Sequence, residues 1–123
     1  MIGIGVDIVS ITHINEAINR SGDIFLNRVF TERERENSLK HYNRDVYYSE
    51  IFACKEAVFK TFRTKWVHEI EWHDIEILHG ECGEPIVILK RYLKKLFDEK
   101  KGKKILLSLS WELDTVIAFS SLV

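Results

Sequence analysis

The sequence predicts one α+β domain over residues 1–123, an antiparallel sheet packed against a long helix. Three observations carry this. Alternating apolar patterns near both ends read as strands. A broad stripe of aromatic and aliphatic side chains between Val46 and Phe62 reads as a helix too wide-faced to stand alone. Strands and helices come in mixed order, with hairpin signals between neighbouring strands. Nearly half the residues are hydrophobic, with six glycines and one proline, so the chain has a core and is neither disordered nor collagen-like.

The elements follow in order. Ile2–Val9 reads as a strand with Ile4, Val6 and Ile8 on one face and Gly3, Gly5 and Asp7 on the other. Ile11, Ile14 and Ile18 give a helix over Ile11–Arg20, ended by Ser21-Gly22. Thr31 with Glu34 three residues later forms a capping box, which starts a helix near Glu32. The long helix follows, and its other side carries Ser49, Ala53, Glu56, Lys60 and Arg63 at steps of three and four. Two small residues beside Glu and Lys leave room there for a bound group. His73–His79 and Pro85–Ile88 read as strands around the Gly80–Gly83 turn, and Leu89–Glu99 as a helix. Lys100–Lys104 is a basic loop, and Ile105–Ser110 with Thr115–Leu122 closes the domain as a hairpin. Val116–Leu122 is apolar on both faces, which suits a strand covered on both sides, by its own core or by a partner subunit.

Bulk properties exclude several function classes. A net charge of −1 argues against a dedicated nucleic-acid binder. No apolar run reaches the roughly 20 residues that cross a bilayer. MIGIGVDIV lacks the basic and apolar regions of a signal peptide, and Cys54 and Cys82 have no metal-ligand spacing. A reduced, cytoplasmic protein is expected. The five histidines are scattered, without zinc-site pairing, and no GxSxG, P-loop or helix-opening GxGxxG occurs.

The residues that suggest chemistry are charged. Asp7 interrupts an apolar strand, where aspartate is disfavoured; it is either a strand-end carboxylate bonded to nearby backbone or a ligand. Glu56 and Lys60 have the i,i+4 spacing of a simple helix ion pair. Together with Asp7 they also make a site: two carboxylates from separate elements suit magnesium, with waters and phosphates completing its shell, and an ammonium neutralises phosphate charge. The Lys100–Lys104 run is a solvated turn or a phosphate contact.

Five segments, in order along the whole chain, carry a family resemblance. They are Gly3–Val9, Arg28–Glu34, Phe52–Lys60 (FACKEAVFK), Asp74–Ile77 with the Gly83-Glu84-Pro85 turn, and Ser108-Leu109-Ser110. In these the chain resembles the holo-[acyl-carrier-protein] synthases, the small class of 4′-phosphopantetheinyl transferases. The resemblance implies that Asp7 and Glu56 bind Mg²⁺, which bridges the diphosphate of coenzyme A. It further implies that a serine of an acyl carrier protein attacks the β-phosphate and releases 3′,5′-adenosine bisphosphate. Glu56 and Lys60 would be catalytic, with Glu56 or a metal-bound water as the base. Lys60, Arg63, Lys65 and Ser108 would hold coenzyme A, and the protein would be a homotrimer with sites between subunits.

The chain departs from the family pattern in three places. Ile51 stands where an arginine is usual, Arg63-Thr64-Lys65 replaces a Gly-Thr-Gly turn, and Trp111 replaces a histidine. These departures keep open an alternative, a non-catalytic relative that binds a carrier protein or nucleotide.

Overall fold

The computed structural model describes residues 1–65 and 69–123. Strand β1 (Gly3–Ser10) lies antiparallel to β5 (Thr115–Leu122), and β5 to β4 (Ile105–Glu112), so the sheet order is β1-β5-β4. Strands β2 (Ile75–His79) and β3 (Pro85–Leu89) form a separate two-stranded sheet. Among the described residues five α-helices complete the fold: α1 (Ile11–Ser21), α2 (Asp23–Val29), α3 (Glu32–Ser38), α4 (Arg44–Thr61) and α5 (Arg91–Glu99). The expected α+β architecture is present. Helix α2 was not legible, because seven residues span under two turns and leave little periodicity to repeat. The expected His73–His79 strand begins late. Trp72–Asp74 is a 3-10 turn in which Asp74 Oδ2 accepts the Glu71 N–H at 3.2 Å, and only Ile75 onward is extended.

Helix α4 is the centre of the molecule. Asn43 caps it by accepting the Val46 N–H, so the helix begins at Arg44, two residues before the expected start. Tyr47, Tyr48, Ile51, Cys54, Val58 and Phe62 are buried with Phe30, Ile75, Ile77 and Leu93. Ser49 and Ala53, expected to leave room for a ligand, are fully buried too. Only the Glu56–Lys60 end of that face reaches solvent.

The contact of α4 with β1 is backbone on backbone. A Cβ on Gly3 would lie 2.0 Å from the Thr61 carbonyl oxygen, and one on Gly5 would lie 2.2 Å from that of Ala57. The strand face cleared by these glycines is therefore filled by the helix, not by a bound group. The side chains of Ile4, Val6 and Ile8 point the other way and are more than half exposed. Along β5, Val116, Ala118, Ser120 and Leu122 are buried, whereas Ile117 and Phe119 share the open face with Leu106. One side of the three-stranded sheet is thus an apolar surface without cover.

Polar ties hold the periphery. The β4–β5 turn is fastened to the start of α1, where Asp114 accepts from Ser10 Oγ at 2.7 Å, Thr12 N at 2.9 Å and Thr12 Oγ1 at 2.7 Å. The predicted capping box is present: Thr31 Oγ1 accepts the Glu34 N–H and Glu34 Oε1 accepts the Thr31 N–H. On β2, the buried Glu76 carboxylate meets Arg33, Thr31 and Lys90.

Two outcomes follow from this packing. Gly5→Ala forces the Ala57 carbonyl away and should cost about 1–3 kcal/mol of stability in urea unfolding, a typical overpacking penalty. Burial alone would raise the Glu76 carboxyl, but the hydrogen bonds from Arg33, Thr31 and Lys90 outweigh it and hold it at about 2, below the ordinary 4.5. Between these values the unfolded chain binds the extra proton. The stabilisation is therefore present above 4.5 and lost as pH falls through about 2. Acid unfolding followed by circular dichroism should show a shallower loss of stability over this window in Glu76→Gln.

Candidate active site

Asp7, Glu56 and Lys60 are brought together by the glycine contact. Ala57 and Thr61 sit on Gly5 and Gly3, so Glu56 and Lys60, one residue before each, rise beside β1 near Asp7. The Lys60 ammonium lies 2.9 Å from Asp7 Oδ1 and 3.2 Å from the Val6 carbonyl oxygen. Asp7 is largely shielded, with its side chain 16% exposed, and Lys60 is half exposed. Among the described residues, the ion pair of Lys60 is this cross-element one rather than the helical pair with Glu56. Asp7 is therefore bonded to a side chain of the site, not to neighbouring backbone. The Val6 carbonyl carries no sequence signature and was not foreseen.

Glu56 shares this field. Burial pushes its carboxyl above the ordinary range, the Asp7 charge pushes it further, and Lys60 works in the opposite direction. Two carboxylates from separate elements, with an ammonium between strand and helix, form a place suited to a cation. Among the described residues no third His, Cys, Asp or Glu joins a cluster. The donor set is two hard oxygens, which fits magnesium, an ion that keeps waters and takes phosphate oxygens. A cavity of about 380 Å³ adjoins Lys60, lined by Ile4, Gly5, Val6 and Phe119 at the free edge of β1.

The other expected site residues are more dispersed. Arg63 and Lys65 follow α4 and are exposed, and Lys65 directly precedes the undescribed residues 66–68. Ser108 pairs in register with Phe119, which pairs with Val6, whereas the row of Asp7 holds Ala118 and Leu109. Ser108 thus lies on the open face of the sheet, away from Asp7 and Glu56 of its own chain. Ile51 is fully buried. Trp111 pairs in register with Val116 at the far end of β4 and is 44% exposed.

Comparison with known proteins decides the family. The family model described as the 4′-phosphopantetheinyl transferase superfamily matches residues 3–114. The holo-[acyl-carrier-protein] synthase of Fusobacterium nucleatum is 41% identical over 101 residues, covering 82% of this chain and 80% of that protein. That of Desulforudis audaxviator is 38% identical over 120 residues, covering 98% and 91%. This chain is a member of the holo-[acyl-carrier-protein] synthase family. The crystal structure of the Neisseria meningitidis synthase superposes with a TM-score of 0.91 at 32% identity over 100% of this chain and 99% of that one. The Helicobacter pylori synthase, solved in complex with coenzyme A, superposes at 0.85 with 26% identity, covering 98% and 99%.

Within the family, one of the two departures at the end of α4 keeps the backbone it would be expected to lose. Arg63 holds φ 55° where the holo-synthase pattern has glycine. An L-residue pays roughly 1–2 kcal/mol in that left-handed region. Arg63→Gly should accordingly stabilise the protein by about 1 kcal/mol in urea unfolding. Glu56→Gln should also raise the melting temperature at neutral pH. With its folded carboxyl raised, the charged form of Glu56 is disfavoured in the native state, so stability falls as pH rises past its ordinary range. Differential scanning calorimetry near pH 7 would read this gain directly.

Proposed function

We propose that this chain transfers the 4′-phosphopantetheine group of coenzyme A to a serine of an acyl carrier protein, releasing 3′,5′-adenosine bisphosphate. The observation that carries this reading is the convergence of Asp7, Glu56 and Lys60 at one edge of β1, in a chain whose relatives are named holo-[acyl-carrier-protein] synthases. The same convergence favours an enzyme over a module that only binds a carrier protein or nucleotide.

In this reading the serine Oγ attacks the β-phosphorus, and the bond from that phosphorus to the bridging oxygen breaks, leaving the bisphosphate. Asp7 and Glu56 would hold magnesium, which when bound neutralises the diphosphate oxygens. Lys60 leaves Asp7 and places its ammonium on the transferring phosphate, where developing charge needs it. Glu56 or a water of the site takes the serine proton. Arg63 and Lys65, exposed beyond the helix end, supply side-chain cations to the phosphates of coenzyme A in place of a glycine turn.

A homotrimer completes the site. The uncovered face carries Ile4, Val6, Ile8, Leu106, Ile117 and Phe119, each between 42% and 67% exposed. An apolar surface of this kind on a small domain supports association, and the adjoining cavity, which Lys60 shares with Ile4, Val6 and Phe119, supports a site near its border. Ser108, on this face, would serve a neighbouring copy's coenzyme A. Trp111 would pack on the apolar part of the site or on a neighbouring subunit. Free Cys54 and Cys82 support a reducing, cytoplasmic setting, and no helix among the described residues is long and apolar enough to cross a membrane.

Incubation with coenzyme A, Mg²⁺ and an apo carrier protein should add one phosphopantetheine to the carrier, read by mass spectrometry. Asp7→Asn and Glu56→Gln should lose transfer while staying folded, and Arg63→Gly should raise the KM for coenzyme A. An unmodified carrier with the intact protein would sink the reading. Light scattering should give a trimer mass, and Ile117→Glu, at the centre of the open face, should give monomers with little transfer.

A further inference from the structure

The signature segment holds two lysines, and the site uses only Lys60. Lys55 is fully buried. Its ammonium lies 2.7 Å from Glu34 Oε1, 2.7 Å from the Val29 carbonyl oxygen and 3.3 Å from that of Trp72. These acceptors belong to α3, to the end of α2 and to the 3-10 turn, and they engage all three donors of an ammonium. The Phe30 ring lies 5.6 Å away. Glu34 is itself fixed, since it accepts the Thr31 N–H at 2.8 Å and the Ile77 N–H at 2.7 Å.

We propose that Lys55 is a positioning residue, whose buried ammonium sets the rotation of α4 and thereby the place of Glu56 against Asp7. Stability alone does not call for the pair, because a well-packed apolar side chain often serves a core equally well or better. What three directed hydrogen bonds add is orientation. On a helix Lys55 and Ala57 are about 200° apart. The ammonium thus grips α4 on the side nearly opposite its contact with Gly5. The glycine contact fixes how closely the helix approaches β1, but it is mostly backbone, with only the Lys60 Cβ beside it, and offers little to stop the helix from turning. Glu56 lies between the two anchors. With a carboxylate about 6 Å from the helix axis, a turn of about 10° moves it about 1 Å. A misplacement of that size is worth about a hundredfold in rate.

The inference rests on the proposed transferase reading, and the test separates the two. Lys55→Met removes the ammonium but leaves Glu34 buried and unpaired, so Glu34→Gln/Lys55→Met is made alongside it. Each variant is checked by circular dichroism and light scattering. It is then assayed for kcat and KM, and for Mn²⁺ affinity by EPR titration with coenzyme A present and carrier protein absent. A folded variant should lose about ten- to a hundredfold in kcat and bind Mn²⁺ more weakly, with its KM for carrier protein unchanged. A folded variant with wild-type kcat and Mn²⁺ affinity overturns the positioning role. Loss of fold in both variants also overturns it, by assigning the pair to stability alone. If the unaltered protein neither transfers nor binds Mn²⁺, the transferase reading itself has failed.

Discussion

The backbone contact between α4 and β1 is the constraint on which the rest depends. Two carbonyl oxygens of a helix occupy the volume that side chains at Gly3 and Gly5 would fill. At such a separation the positions flanking the contact have little freedom, and the polar residues there are forced into each other's field. Lys60 meets Asp7 and the Val6 carbonyl for this reason. The unfavourable coupling of Glu56 with Asp7 has the same origin. A wider helix–strand spacing, normal for side-chain packing, would separate these groups and leave two ordinary surface charges.

Much of this was legible in the sequence, and the illegible part has definite physical reasons. Helices α1 and α4, the capping box at Thr31 and the closing hairpin follow from periodicity and capping chemistry, which act locally. The open face of the sheet was only half visible. Alternation told which residues of β1 share a side but not which side is core, and the glycine side turned out to be the buried one. The i,i+4 spacing of Glu56 and Lys60 suggested a local pair, while the tertiary partner Asp7 won because the strand lies closer in space than the next helical turn suggests. The register of Ser108 with Phe119 puts it on the open face, away from Asp7 and Glu56 of its own chain, a fact fixed by strand pairing that no single segment encodes.

The buried and half-buried charges differ in how many partners they find. Glu34 with Lys55, and Glu76 with Arg33 and Lys90, are each surrounded by partners that satisfy them. They join α3, α4 and the β2–β3 hairpin into one unit. Glu56 has fewer partners: Lys60 works against the rise, but burial and the Asp7 charge still hold its carboxyl above the ordinary range. A cation bound beside it would relieve that state.

The strand order has a consequence for how the protein is made. Among the described residues β5 is the only strand that pairs with two others, and it is the last of their five strands along the chain. Gly3 pairs with Leu122, so closing the sheet joins segments separated by nearly the whole sequence. Such long-range pairing costs much loop entropy before it returns any contact, and it slows folding. Helices can form as the chain emerges during synthesis, but the sheet has to wait for its central strand. A nascent chain therefore carries β1 unpaired, with Ile4, Val6 and Ile8 on display, until synthesis has passed β5.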